Sequence, residues 1–329
     1  MPLARASLVV SALIVSGLVP GRPRTLAADV PPDTNAITSL TPDEARKLVA
    51  EFPGVNVELQ LKNNGTFTFG GALPLNGLRS LDADTAAALA AYDGHLVLNG
   101  LESLDAEAAR ALAKYAGPTL FLDGLTTLPP DVAEALAASP CGGLSLDGMT
   151  DLLPATARRL AEYEGPRMSL DGLTTLDPEV AAGLGQFKGV VFLLNGLTTL
   201  DGPTATAFAG HEGRIPSLLG LESLDAAAAE VLVSSPDWDG ALPGITALDS
   251  PDSVAVAETL ATYPHPLWLP NLRKLSSKTL TALLEKHDVV IPLIDTLELV
   301  PEPDGGVTED VVLPDAVLER HRRPGRPID

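Results

Sequence analysis

The sequence predicts an α/β fold, a curved repeat solenoid with short parallel strands on the concave side and helices on the convex side. Three observations predict it. A glycine recurs at 77, 100, 124, 148, 172, 196, 220 and 244, with one gap of 23 residues and six of 24. Each glycine sits in nearly the same string, L-x-L-[D/N]-G-L-x-x-L, as in Leu170-Asp171-Gly172-Leu173-Thr174-Thr175-Leu176. An alanine-rich stretch with helix-start chemistry follows each string. A fixed period of this size marks stacked supersecondary units that share a core, because one unit alone cannot bury its apolar face.

The strand comes first in each unit. Leucine or a substitute stands two and four residues before the glycine, as in Leu96/Leu98, Leu120/Leu122, Leu144/Leu146 and Met168/Leu170. Period-two alternation over so few residues is a short strand with one buried face. The glycine itself is required where φ is positive or where backbones approach closely, so the chain turns out of the sheet there.

The helix comes next. Thr41-Pro42-Asp43-Glu44 is a capping box, and Asp177-Pro178-Glu179 combines an N-cap acceptor, a proline at the first helical position and an early acid. Asp82, Asp105, Asp201, Asp225 and Ser276 hold the same cap position. Ala109, Leu112 and Ala113, or Ala157, Leu160 and Ala161, then form a stripe at spacings of three and four. Gly94, Gly117, Gly165 and Gly189 are expected to end helices in a left-handed C-cap. The aromatic column Tyr92, Tyr115, Tyr163, Phe187 and Tyr263 reads as core filler. Strands stack about 4.8 Å apart and helices about 8–10 Å apart, and this mismatch bends such a stack.

The ends differ from the middle. Residues 1–28 read as a secretory signal peptide: Arg5, an apolar run from Leu8 to Val19, then Leu26-Ala27-Ala28. Residues 29–72 read as an N-terminal cap with a first helix and a hairpin. In that hairpin Val55, Val57, Leu59 and Leu61 alternate, Asn64-Gly65 turns, and Phe67 and Phe69 alternate again. Residues 73–287 form the solenoid, 288–321 a C-terminal cap and 322–329 a basic tail. The formal charge of −21 disfavours nucleic acid and anionic membrane surfaces. The one cysteine, Cys141, excludes an intrachain disulfide and reads as a small buried hydrophobe.

The L-x-L strand and the 23- or 24-residue period resemble the leucine-rich repeats, particularly short alanine-rich bacterial forms, over about three quarters of the chain. The chain departs from the family string in that the D/N-G pair stands nearer the strand. The resemblance implies a solenoid that recognises another protein on its strand face.

Two columns are candidate sites. The outward strand column, Val97, Phe121, Ser145, Ser169, Leu193, Ser217, Ala241 and Trp268, is expected to meet solvent and to offer a protein-binding face. The column before the glycine, Asn76, Asn99, Asp123, Asp147, Asp171 and Asn195, has two readings. Each side chain closes a local Asx turn, or consecutive aspartates hold calcium. The five histidines lack metal-ligand spacing, and no nucleophile elbow, phosphate loop or Cys-x-x-Cys occurs. The expectation is an exported, monomeric, non-enzymatic binder without cofactor or metal, acting outside the cytoplasm on a protein partner. The alternative is a cell-envelope assembly component that depends on divalent ions.

Overall fold

The computed structural model describes residues 33–60, 66–209 and 215–302. The segment read as a signal peptide, the expected Asn64-Gly65 turn and the expected basic tail lie outside these residues. The chain falls into two compact units whose boundary in sequence lies between Gly196 and Leu197. The sequence reading took residues 73–287 as one body, so this division is a finding of the structure.

The first unit opens with α1 (Pro42–Glu51), whose capping box forms as expected: Glu44 N–H donates to Thr41 Oγ1 and Thr41 N–H donates to Glu44. A seven-stranded sheet follows, in the order β1 (Val55–Gln60), β2 (Thr66–Pro74), β3 (His95–Val97), β4 (Leu120–Phe121), β5 (Leu144–Ser145), β6 (Arg167–Ser169) and β7 (Val191–Leu193). β1 and β2 are the expected hairpin, and β2 runs on to Pro74 to pair in parallel with β3, so the hairpin belongs to the sheet. Every later pairing is parallel, with Leu96, Leu120, Leu144, Met168 and Phe192 in one row. The crossovers carry α2 (Ala83–Leu89), α3 (Ala106–Leu112), α4 (Pro130–Ala137), α5 (Pro154–Leu160) and α6 (Pro178–Leu184), each packed on the next. Leu96, Leu98, Leu120 and Leu170 from the strands and Ala109, Leu112 and Leu160 from the helices are fully buried, so the core lies between the two layers.

The second unit has α7 (Gly202–Ala209), α8 (Ala226–Ser234), α9 (Ser253–Ala261) and α10 (Ser277–Leu284). Its strands are paired differently. β8 (Thr199–Leu200) pairs with β9 (Ser223–Leu224), and β10 (Ala247–Leu248) with β12 (Lys274–Ser276), which pairs with β14 (Glu298–Val300). These segments follow the glycine position. The segments that precede it, β11 (Leu267–Trp268) and β13 (Val289–Val290), form a separate parallel pair.

The repeat turn is the same in both units. Leu101, Leu125, Met149, Leu173, Leu221 and Ile245 each donate N–H to the leucine carbonyl three residues back. Of the two reasons for glycine, close approach is the one that applies. None of the column glycines has a positive φ, whereas a Cβ on Gly148 would lie 2.0 Å from the Asp123 carbonyl oxygen of the preceding repeat.

The expected left-handed C-caps at Gly94, Gly117, Gly165 and Gly189 do not form, since none has a positive φ. Contact with the aromatic column accounts for these glycines: a Cβ on Gly165 would meet the Tyr163 ring at 2.1 Å. That column is core, as expected, and its hydroxyls are also hydrogen-bond donors. Tyr92 donates to Gly71 O at 3.1 Å, Tyr163 to Cys141 O at 2.7 Å, and Tyr263 to Trp238 O. Burial pushes the Tyr115 and Tyr163 hydroxyls well above the usual tyrosine range, so they stay donors at any working pH. Cys141 is free and buried, with its Sγ 3.2 Å from the Tyr163 hydroxyl.

Candidate functional site: the strand face of the first unit

Two rows of side chains stand on the strand face away from the helices. The first is the predicted column, and the structure corrects its exposure. Val97 and Phe121 are buried, at 1% and 7% exposed, and so are Ser145 and Ser169. Leu193 and Ser217 are half-buried, and Trp268, in the second unit, stays open at 39%. Phe121 is buried because its ring stacks on Phe69 of the hairpin, centroids 5.1 Å apart and 12° from parallel. Phe69, Ala72, Val97 and Phe121 form one apolar cluster, with Val57 packed against it.

Ser145 and Ser169 are buried for another reason: each completes a carboxylate. Ser145 Oγ donates to Asp123 Oδ1 and Ser169 Oγ to Asp147 Oδ1, both at 2.6 Å. The Asp/Asn column is therefore not a set of local Asx turns. From Asn76 to Asp171, each side chain accepts from the backbone N–H of its counterpart one repeat on. Asn99 N–H donates to Asn76 Oδ1 and Asp123 N–H to Asn99 Oδ1, each at 3.0 Å. The run continues from Asp147 to Asp123 at 3.0 Å, Asp171 to Asp147 at 2.8 Å and Asn195 to Asp171 at 2.7 Å. Asn35 starts it, accepting from Asn76 N–H at 3.3 Å. Asparagine and aspartate interchange because the ladder needs only the acceptor oxygen they share.

The ladder also decides how the carboxylates are occupied. Asp123 takes Ser145 Oγ and Asp147 N–H on Oδ1, and Asn99 Nδ2 on Oδ2 at 2.9 Å. Burial, and then the neighbouring Asp147 charge, raise the Asp123 carboxyl above its usual value. Among the described residues no group of three histidine, cysteine or acidic side chains is placed to hold a metal ion.

The second row was not singled out from the sequence. In register across the sheet stand Ala72, His95, Thr119, Gly143, Arg167 and Val191. His95 packs beside the aromatic pair, 4.6 Å from the Phe69 centroid and 6.2 Å from Phe121. Its Nδ1 is buried without a hydrogen-bond partner. Burial, with Arg167 as the lesser cause, lowers its pKa to about 4, so the ring is neutral at pH 7. Arg167 is half-buried, and desolvation lowers its pKa too. Among the described residues its guanidinium has neither a carboxylate nor a hydrogen-bond partner. Gly143 lies between, and a Cβ there would sit 3.3 Å from Thr119 and 3.6 Å from Arg167 Cβ.

The sequence signal that could have found this row is slight: a lone arginine five residues before a repeat glycine in a strongly acidic chain. Comparisons with known proteins add no assignment. No family model matches the chain, and no curated protein matches it. Among solved structures, the Toll–Spatzle complex of Drosophila is similar over 67% of this chain and 37% of that one, at 12% identity and a TM-score of 0.35. A likeness of that degree carries no argument here. The chain thus spans about a third of that chain's length.

Proposed function

We propose that this protein is an exported, non-enzymatic leucine-rich-repeat-like solenoid that recognises another protein through its strand face. In this reading each unit is a segment of curved stack, because strand rows at about 4.8 Å force helix rows at about 8–10 Å to splay outward. The observation that carries the reading is the state of the strand face in the first unit. The ladder and the two serines tie that face together, while His95 Nδ1 on it is buried without a partner and the half-buried Arg167 has no carboxylate against it among the described residues. Rigid presentation lowers the ordering cost of association. Trp268 supplies an exposed aromatic of the kind that anchors interfaces.

Ladder contacts already occupy the aspartates, which supports recognition over an assembly role that needs divalent ions. The test is capture of a partner from the extracytoplasmic fraction with wild-type, Arg167→Gln and Trp268→Ala proteins as bait. One band, depleted about tenfold or more by at least one substitution without loss of the folded state, is expected. Equal capture by all three proteins contradicts recognition through the strand face.

A further inference from the structure

The row from His95 to Arg167 has the parts of a small binding site, set against the Phe69–Phe121 stack of the apolar cluster. An arginine inside a protein is ordinarily paired, because a desolvated cation without a partner is costly. This chain has 43 acidic residues against 22 basic ones, yet none of the described acids is placed against Arg167. Some exposed arginines pair, as Arg158 does with Glu179 at 2.6 Å and Arg159 with Glu162 at 3.1 Å. The exposed Arg110 and Arg273 have no side-chain partner among the described residues and are left to solvent. Three strands away on the same row, His95 keeps Nδ1 buried and unbonded. Thr119 and Gly143 lie between them on the row, and a Cβ on Gly143 would already press on Thr119 at 3.3 Å. The stacked rings of Phe69 and Phe121 wall one side.

We infer that Arg167, His95 and the Phe69–Phe121 wall form a subsite for a carboxylate carried next to an aromatic or branched apolar group. The guanidinium fork matches a planar carboxylate, with two parallel N–H donors on one edge. The neutral imidazole offers one further hydrogen bond, and the rings take the apolar part. A phosphate dianion fits less well. The site has one formal positive charge, and the Asp123 carboxylate lies on the neighbouring column of the same face. The subsite rests on the recognition reading of the strand face but is tested without any partner.

The test titrates the full chain with benzoate, benzamide, inorganic phosphate, and N-acetyl-Gly-Phe as free acid and as amide. The readouts are the NMR signals of the His95 ring nitrogens and Arg167 Nε. Benzoate or the free-acid peptide should saturate and move both signals, and whichever binds tighter identifies the source as a small acid or a chain terminus. Benzamide, the peptide amide and Arg167→Gln should each weaken binding by about tenfold or more, the value of one charge-assisted hydrogen bond. Arg167→Gln should also leave the melting temperature of the free protein unchanged or higher, since it removes an unpaired cation. Saturation by phosphate in preference to both acids overturns the carboxylate assignment. Failure of both acids to bind, or binding that survives Arg167→Gln, overturns the subsite. Either result leaves a partner captured through Trp268 untouched, so the two readings fail separately.

Discussion

The two units solve one problem, attaching each repeat to the next, in different ways. In the first unit the residue before the glycine is Asn or Asp, and its side chain takes the backbone N–H of its counterpart on the next repeat. In the second unit the equivalent residues are Leu219, Pro243 and Pro270. Proline has no N–H to donate, so the ladder cannot run through two of the three. Backbone takes over just after the turn: Glu222 and Ser223 donate to Thr198 O, and Arg273 and Lys274 to Thr246 O. Strands β8 to β10, β12 and β14 are the result. In the first unit Glu102 N–H to Arg79 O is a single bond of that kind. Where a side-chain column can carry the attachment, the second backbone strand is dispensable.

The glycine position sharpens the contrast most. Gly148→Val puts a branched side chain where a Cβ already lies 2.0 Å from Asp123 O, and it should cost about 4 kcal/mol or more, or prevent folding. The second unit keeps Gly244, where a Cβ would lie 2.5 Å from Leu221 O, but one of its repeats already holds a side chain there: Asn271 stands in the glycine's place and donates Nδ2 to Pro243 O at 2.8 Å. Asn271→Val should therefore cost only about 1 kcal/mol. Urea unfolding of both variants measures the difference, and equal losses would break the comparison.

Core leucines should not distinguish the units. Leu170 and Leu242 are both fully buried, and each substitution to alanine should cost about 2–5 kcal/mol in denaturant unfolding.

His95 gives the first unit an acid sensitivity of known sign. Its pKa falls from 6.5 to about 4 on folding, through burial and then Arg167. The unfolded chain therefore binds the extra proton first. The neutral-histidine contribution is complete above pH 6.5 and is lost as pH falls toward 4, by up to about 3 kcal/mol. Asp123 works in the opposite direction, since its raised pKa makes protonation favour the folded state. The measurement is the wild-type minus His95→Phe difference in stability between pH 7 and 4. A difference that does not change with pH would show that the ring is not buried neutral.

The ladder itself should give the smaller numbers. Asp147→Ala leaves Asp171 N–H and Ser169 Oγ without an acceptor and should cost about 1–3 kcal/mol, whereas Asp147→Asn keeps the oxygen and should cost less than about 1. Leu219→Ala, at the same column in the second unit, removes no ladder bond of this kind. Melting with calcium and with chelator should coincide for all of these proteins.

Much of this was legible in the residues. The period, the L-x-L strands, the Thr41 capping box and the Val55–Phe69 hairpin follow from local pattern, and each forms. At Asp177 the proline start forms without a side-chain cap bond. The aspartate column could be seen but not its partners, because a side chain that bonds 24 residues away leaves the same local signature as an Asx turn. The Asp–Ser pairing, Asp123 with Ser145 and Asp147 with Ser169, left no rule to read, since Leu193 follows Asp171 at the same spacing and Ser217 follows Asn195. Phe121 was misjudged because its cover, Phe69, comes from outside the repeat. Arg167 and His95 were passed over because single residues in single repeats break no pattern.

Amide hydrogen exchange at Asp171, in wild type and in Asp147→Ala, tests the ladder most directly. If repeats of the first unit are joined through the aspartate column, the Asp171 amide is strongly protected in wild type. It then exchanges at least about tenfold faster in the variant, while amides of the second unit such as Ser223 keep their rates. Unchanged protection at Asp171 would contradict the account.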